Sequence, residues 1–341
     1  MSERPRLMTG AQLLSVAIAF LLSVVVAIVL AIVVPPAARL ATPDIPVKAY
    51  LGALARGDVP AALKAGHVPV SGDKLLTTDA YATASDRITS FSITSTQVSG
   101  STATIAARIH QGTASYTTRF TATRGAGVPG LTPWSLAPQQ LPQLAVAVVG
   151  PTSASVDVAG TKLATRNNTV TQAVLPGTYA VEPASSPSYG APPQKVTAVL
   201  GRPSASATIA MTLTAQGKTE VQASASAWLA TCVASTALAP SGCPFRAVGT
   251  AGVSYSQGRW TMAAQPTLAF GGWNSTADGW QVTSTTLGEV SFIARARSGA
   301  ASGTASTGPQ LFSVLGTAVP TNSGASFVPS PSYSSSAGSL A

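Results

Sequence analysis

The segment AQLLSVAIAFLLSVVVAIVLAIVV runs from Ala11 to Val34 without a charged residue, and it limits what the rest of the chain can be. As a helix rising about 1.5 Å per residue it would reach roughly 36 Å, enough for the hydrocarbon core of a bilayer with some tilt. A cleavable signal sequence has a shorter apolar stretch of about 7–15 residues. The expectation is one transmembrane helix over 11–34, ended by Pro35 and Pro36. Arg4 and Arg6 precede it and Arg39 and Lys48 follow, so the charge contrast across it is modest. Residues 1–10 are too few to fold, whereas the long remainder is not. This places the N-terminus in the cytoplasm and the bulk outside, in a cell-membrane, single-pass protein.

The net charge of +9 invites a nucleic-acid reading. The basic residues stand singly, as at Arg108, Arg119, Lys162, Lys195, Arg246 and Arg259. No basic cluster is present to neutralise adjacent phosphates, so nucleic acid is excluded as a partner. Only 9% of residues are charged, against roughly 25% in ordinary soluble domains. The expected partners are the membrane, through the span, and another envelope protein; a wall polymer or a small ligand is the further option.

Cys232 and Cys243 are the two cysteines. Outside a membrane such a pair most often forms a disulfide. A zinc site needs about four ligands, and the histidines, His67 and His110, lie far upstream. A redox pair is spaced C-x-x-C. Two buried free thiols are the remaining alternative.

Behind a Pro- and Ala-rich tether at 35–45, Val47, Tyr50, Leu51 and Leu54 recur at helical spacing. Gly57 closes that helix, and Asp58 with Pro60 opens a second. From Arg87 the apolar period falls to two through "RITSFSITSTQVSG", "STATIAARIHQG" and "ASYTTRFTATRG", which reads as an antiparallel meander closed by "PWSLAP". Residues 139–214 are strand-like throughout, with Gly-, Pro- and Asn-rich turns. At 215–320 a helix bearing Val221, Ala225, Trp228, Leu229 and Cys232 on one face precedes another meander. This repeats the first plan, as a degenerate second copy would. "SGAASGTASTG" is expected to be a loop, and 321–341 a disordered tail.

The helix "AYLGALARGD", the small helix after it, the "LTTDAY" turn and the strands ending in a Trp strand resemble the nuclear-transport-factor-2-like (cystatin-like) fold over 46–138. That resemblance implies a cone between helix and sheet. A pocket for a small apolar or glycan ligand would be lined by Phe91, Ile105, Ala107 and Phe120 and covered by Tyr50 and Leu54. Enzymes of the family carry a buried Asp or His in the cone; no such pair is placed here, so no catalytic role is carried over. "VDVAGTKL" with "VLPGTYAV" is more loosely similar to the ectodomains of the teicoplanin-resistance-associated membrane protein family. Members usually add a cytoplasmic zinc ribbon, for which residues 1–10 leave no room, so that likeness is one of architecture.

The expected fold class is α+β: one N-terminal transmembrane helix, then tandem extracytoplasmic domains of helices packed on antiparallel sheets, with a small all-β module between. The expected boundaries are 1–10, 11–34, 35–45, 46–138, 139–214, 215–320 and 321–341. "GAGVPG" at Gly125–Gly130 lacks the following helix a dinucleotide site needs. "SGDK" at Ser71–Lys74 lacks the partner motifs of penicillin-binding enzymes. Trp273 and Trp280 flank "NSTAD" and form an expected surface aromatic contact for glycan or protein. No catalytic, cofactor or metal residues are assigned, and the chain is read as a non-enzymatic binding or scaffold module of the cell envelope.

Overall fold

A computed structural model describes residues 21–25, 42–69, 72–126, 132–152, 155–330 and 336–340. The expected transmembrane segment lies outside the described residues except for Leu21–Val25, which are helical and exposed. Among the described residues no helix is long and apolar enough to cross a membrane.

The chain is mainly β, with 51% strand and 17% helix, so the α+β expectation of helices packed on sheets is corrected. The amphipathic helical faces are few, while alternating β-branched and hydroxyl residues extend strands into segments expected to be irregular. Ala301–Ser306 is a strand of a hairpin, not a loop. In the expected tail, Gly324–Pro329 pairs with Leu315–Thr321, and Ser336–Ser339 runs parallel to Phe245–Val248. Phe327, whose ring lies 5.4 Å from that of Trp228, gives this polar tail an apolar anchor.

Two units divide the chain, and they are not serial. The first takes the chain up to Gln143, with Gln172–Tyr179 and Thr197–Ala205; the second takes Leu144–Thr171, Ala180–Val196 and everything from Ser206.

In the first unit, α1 (Ile45–Arg56) buries Val47, Tyr50, Leu51, Ala53 and Leu54 and ends at Gly57, whose φ of 74° suits a residue without a Cβ. Asp58 caps α2 (Val59–Ala65) by accepting the Ala61 N–H at 3.1 Å. Thr77 caps α3 (Thr78–Thr83) through the Ala80 N–H at 3.2 Å. The strands β1 (Ile88–Ser99), β2 (Thr102–Gln111), β3 (Ala114–Arg124) and β4 (Trp134–Leu136) form an antiparallel sheet in that order. Ala103, Ile105, Ala107 and Ile109 face inward along β2; Thr104, Arg108 and His110 are exposed between them.

In the second unit, Ser155–Val158 turns through Ala159 and Gly160, both at positive φ, into Thr161–Ala164. One four-stranded sheet there orders Thr267–Asn274, Gly279–Thr286, Leu315–Thr321 and Gly324–Pro329. A second pairs Ser254–Ala264 with Gly288–Ser298. Phe245, Trp260, Phe292 and Phe312 form an aromatic core beside it, with ring centroids 4.7 to 5.3 Å apart.

The helix α4 (Ala215–Val233) is tied down at its start. Thr214 accepts the Gly217 N–H at 3.1 Å and donates to the Pro187 carbonyl at 2.6 Å. A Cβ on Gly217 would lie 2.0 Å from the Ser188 carbonyl oxygen, so that helix turn admits no side chain. Glu220 accepts from the Ser188 hydroxyl at 2.6 Å, the Ala325 N–H at 2.9 Å and the Gln216 amide at 2.9 Å. These bonds hold its carboxyl below the ordinary value of 4.5, the Ser188 bond being the largest cause. A depressed folded pKa makes this stabilisation fully present above 4.5 and lost as pH falls through the folded value. The melting temperature of the full chain is expected to fall as the pH drops below 4.5, with a shallower acid fall in Glu220→Gln. Calorimetry across that range checks it; an unchanged acid limb in the variant would remove Glu220 from the account.

Candidate functional site

The cone expected from the sequence is packed with protein. Tyr50, Leu54, Ile105, Ala107 and Phe120 are at most 1% exposed, and Phe91 is half-buried. The Tyr50 and Phe120 rings meet edge to face at 6.3 Å. These six residues line none of the described cavities. The Tyr50 hydroxyl is buried without a hydrogen-bond partner, and burial raises its pKa above the ordinary phenol value.

Trp273 and Trp280 do stand opposite each other across a strand pair, 4.8 Å between ring centroids. Trp280 is wholly buried and donates its indole N–H to the Met211 carbonyl at 2.8 Å, so it is a core residue and not a surface contact. Trp273 is half-buried. Cys232 and Cys243 form a disulfide that joins the last turn of α4 to the residues just before Phe245–Val248.

His67 and Ser135 come together, with Nε2 and the hydroxyl 3.2 Å apart at the exposed edge of the first unit. No group is hydrogen-bonded to Nδ1 of His67 among the described residues.

The concave surface lies elsewhere on the first unit. Alternation along β3 turns Tyr116, Thr118 and Phe120 inward and leaves Thr117 and Arg119 exposed. The Tyr116 hydroxyl donates to Gln111 Oε1 at 2.7 Å and accepts the Leu200 N–H at 3.3 Å. The buried amide of Gln111 donates to the Ala198 carbonyl at 2.8 Å, and Thr118 donates to the Leu200 carbonyl at 3.4 Å. Burial pushes the Tyr116 pKa up to about 12, against a lowering by the Leu200 bond, so the phenol stays protonated at neutral pH. These bonds fasten the segment 198–202 beside β3. Within it Gly201, at φ 83°, completes a turn in which the Arg202 N–H reaches the Val199 carbonyl at 3.1 Å.

Three hollows follow this ridge. One of about 440 Å³ lies between Tyr116 and Leu200. A second of about 260 Å³ shares Thr118, Leu200, Gly201 and Arg202 with it and adds Arg119. A third of about 580 Å³ shares Gln139, Gln140 and Pro203 with the second and reaches Asp73. Neighbouring hollows share lining residues and so make one trough, in which Thr and Gln side chains alternate with apolar walls such as Val68, Leu141, Leu200 and Pro203. Sequence reading missed it because β3 and the ridge lie far apart in the chain.

Among the described residues no group of three or more His, Cys, Asp or Glu could hold a metal ion. No protein-family model, no curated protein and no solved structure matches this chain.

Proposed function

We propose that this chain is a non-catalytic binding protein of the bacterial cell envelope. Its apolar N-terminal segment holds it at the membrane, and its β-rich bulk faces outward. The trough along Leu200–Pro203 carries this reading: its hollows share lining residues, and it sets Thr and Gln side chains with Arg119 and Arg202 among Pro and aliphatic walls, as suits an extended ligand or a partner segment. The Cys232–Cys243 disulfide is the chemistry of an oxidising compartment. Leu21, Leu22, Val24 and Val25 are exposed, as side chains that meet lipid would be.

The test is in-cell crosslinking of the full chain with a photoreactive residue in place of the exposed trough residue Gln140, and separately in place of Gln222 on α4. The expected result is a defined crosslinked species from the trough position only, in a membrane fraction that resists carbonate extraction. Release of the chain by carbonate, or the same species from both positions, would overturn the reading.

A further inference from the structure

We propose that the trough takes a linear polyanion, a polyol chain joined by phosphodiesters, gripped where Arg119 and Arg202 share one cleft. This deepens the binding reading above and rests on it. No Asp or Glu occurs between Asp86 and Asp157, so β1 to β4 carry no carboxylate at all. On the exposed face of that sheet Arg108 stands opposite Thr117, and Ala106 opposite Arg119. The two arginines are therefore diagonal neighbours, about 7–8 Å apart at the backbone. Arg119 also lines the cleft of about 260 Å³ together with Arg202, which the Gly201 turn presents. The remaining side chains there, including Thr118, Gln139 and Gln140, are neutral.

The guanidinium groups of Arg108, Arg119 and Arg202 have no ion pair or hydrogen bond among the described residues. Among the described residues the ion pair is Lys48 with Asp44, at the start of α1. Three guanidinium groups thus follow one path, from the sheet face over its edge into the trough. Each offers a planar fork that matches a phosphate's oxygens. Asp73, the carboxylate on the trough, sits in the third hollow, and its Oδ1 accepts the Ala173 N–H at 3.1 Å. The polymer's charge is held at the arginine end, and its hydroxyls meet Thr117, Gln139 and Gln140.

The surroundings favour a phosphodiester chain over a bilayer surface, because basic membrane-binding faces add large apolar side chains and this one is set among Ser, Thr and Gln. They also disfavour single-stranded nucleic acid. Base binding needs open aromatic platforms, and the trough's one aromatic, Tyr116, is half-buried with its hydroxyl engaged.

The probe is a fluorescent poly(glycerol phosphate) oligomer titrated onto the full chain in neutral-lipid nanodiscs. Saturable binding that weakens with salt is expected. Affinity should fall about tenfold for each arginine lost in Arg119→Gln and Arg202→Gln. The double variant Arg119→Lys/Arg202→Lys keeps the charge without the fork and should fall between. Lys162→Gln/Lys195→Gln removes the same charge elsewhere and should change little. Equal losses in the lysine and arginine variants would reduce the effect to net charge and overturn the site. Binding to anionic vesicles without binding to the oligomer would overturn it in favour of a membrane surface, and tighter binding of a single-stranded oligonucleotide in favour of nucleic acid. No oligomer binding, alongside a trough-specific crosslink in cells, would overturn this ligand class and leave the binding reading intact.

Discussion

Replacing Trp280 by alanine is expected to cost about 3–5 kcal/mol, several times the cost of the same change at Trp273. Trp280 sits on Gly279–Thr286, with Trp273 opposite on one neighbouring strand and Ala318 opposite on the other. Its ring is covered completely, with Tyr189 at 5.4 Å and Trp273 at 4.8 Å between centroids. Two costs follow from its removal. The large cavity cannot readily collapse, because both flanking strands are hydrogen-bonded to the Trp280 strand. The Met211 carbonyl also loses the indole donor that satisfies it inside the core. Trp273 stands on the outermost strand of the sheet with part of its ring already in solvent, so its loss opens no closed cavity. The check is the urea midpoint of the transition that exposes the Trp260 cluster, measured for both variants of the full chain. Equal midpoints would mean that Trp280 is no more a core residue than its neighbour.

That pair also marks where the sequence stops being informative. Two tryptophans flanking a polar turn look alike in one dimension. What separates them is that one strand is central and the other is an edge, and strand order is not written in local alternation. Chain-local features were legible. The "GD" after "AYLGALAR" does end one helix with a left-handed glycine and cap the next with an aspartate. The fold class was not. Two good amphipathic faces, at α1 and α4, gave helices too much weight, and the Ser- and Gly-rich end looked too polar to order. Phe327, docked by Trp228, is the residue that decides otherwise. Glu220 carries no local signal of its role, because its partners Ser188 and Ala325 lie 32 and 105 positions away. The trough depends on the same kind of closure, since Tyr116 meets Leu200 across 84 positions. Alternation told which β3 side chains face outward, but not that a distant glycine turn would bring a second arginine beside Arg119.

The disulfide was legible, and its removal is the other large effect expected. In Cys232→Ala/Cys243→Ala the chain-entropy term for a loop closed across 11 positions predicts a loss of about 3 kcal/mol. In the folded state the loop is held by more than sulfur. Trp228 donates to the Gly242 carbonyl at 3.1 Å and Trp260 to the Ala237 carbonyl at 3.0 Å, and the Ala247 N–H reaches Leu238 at 2.7 Å. These bonds belong to the folded state and lower the cost of keeping the loop closed once it is folded. They do nothing for the unfolded chain, where the crosslink acts. The stability loss should therefore appear in the denaturation midpoint, while the aromatic core around Trp260 keeps its near-ultraviolet signal. Wild-type protein under reductant should melt with the double variant. Stoichiometric thiol labelling of the isolated chain without reductant would show that the crosslink does not form where the protein resides. It would remove the disulfide's support for an extracytoplasmic location along with the stability it is expected to confer.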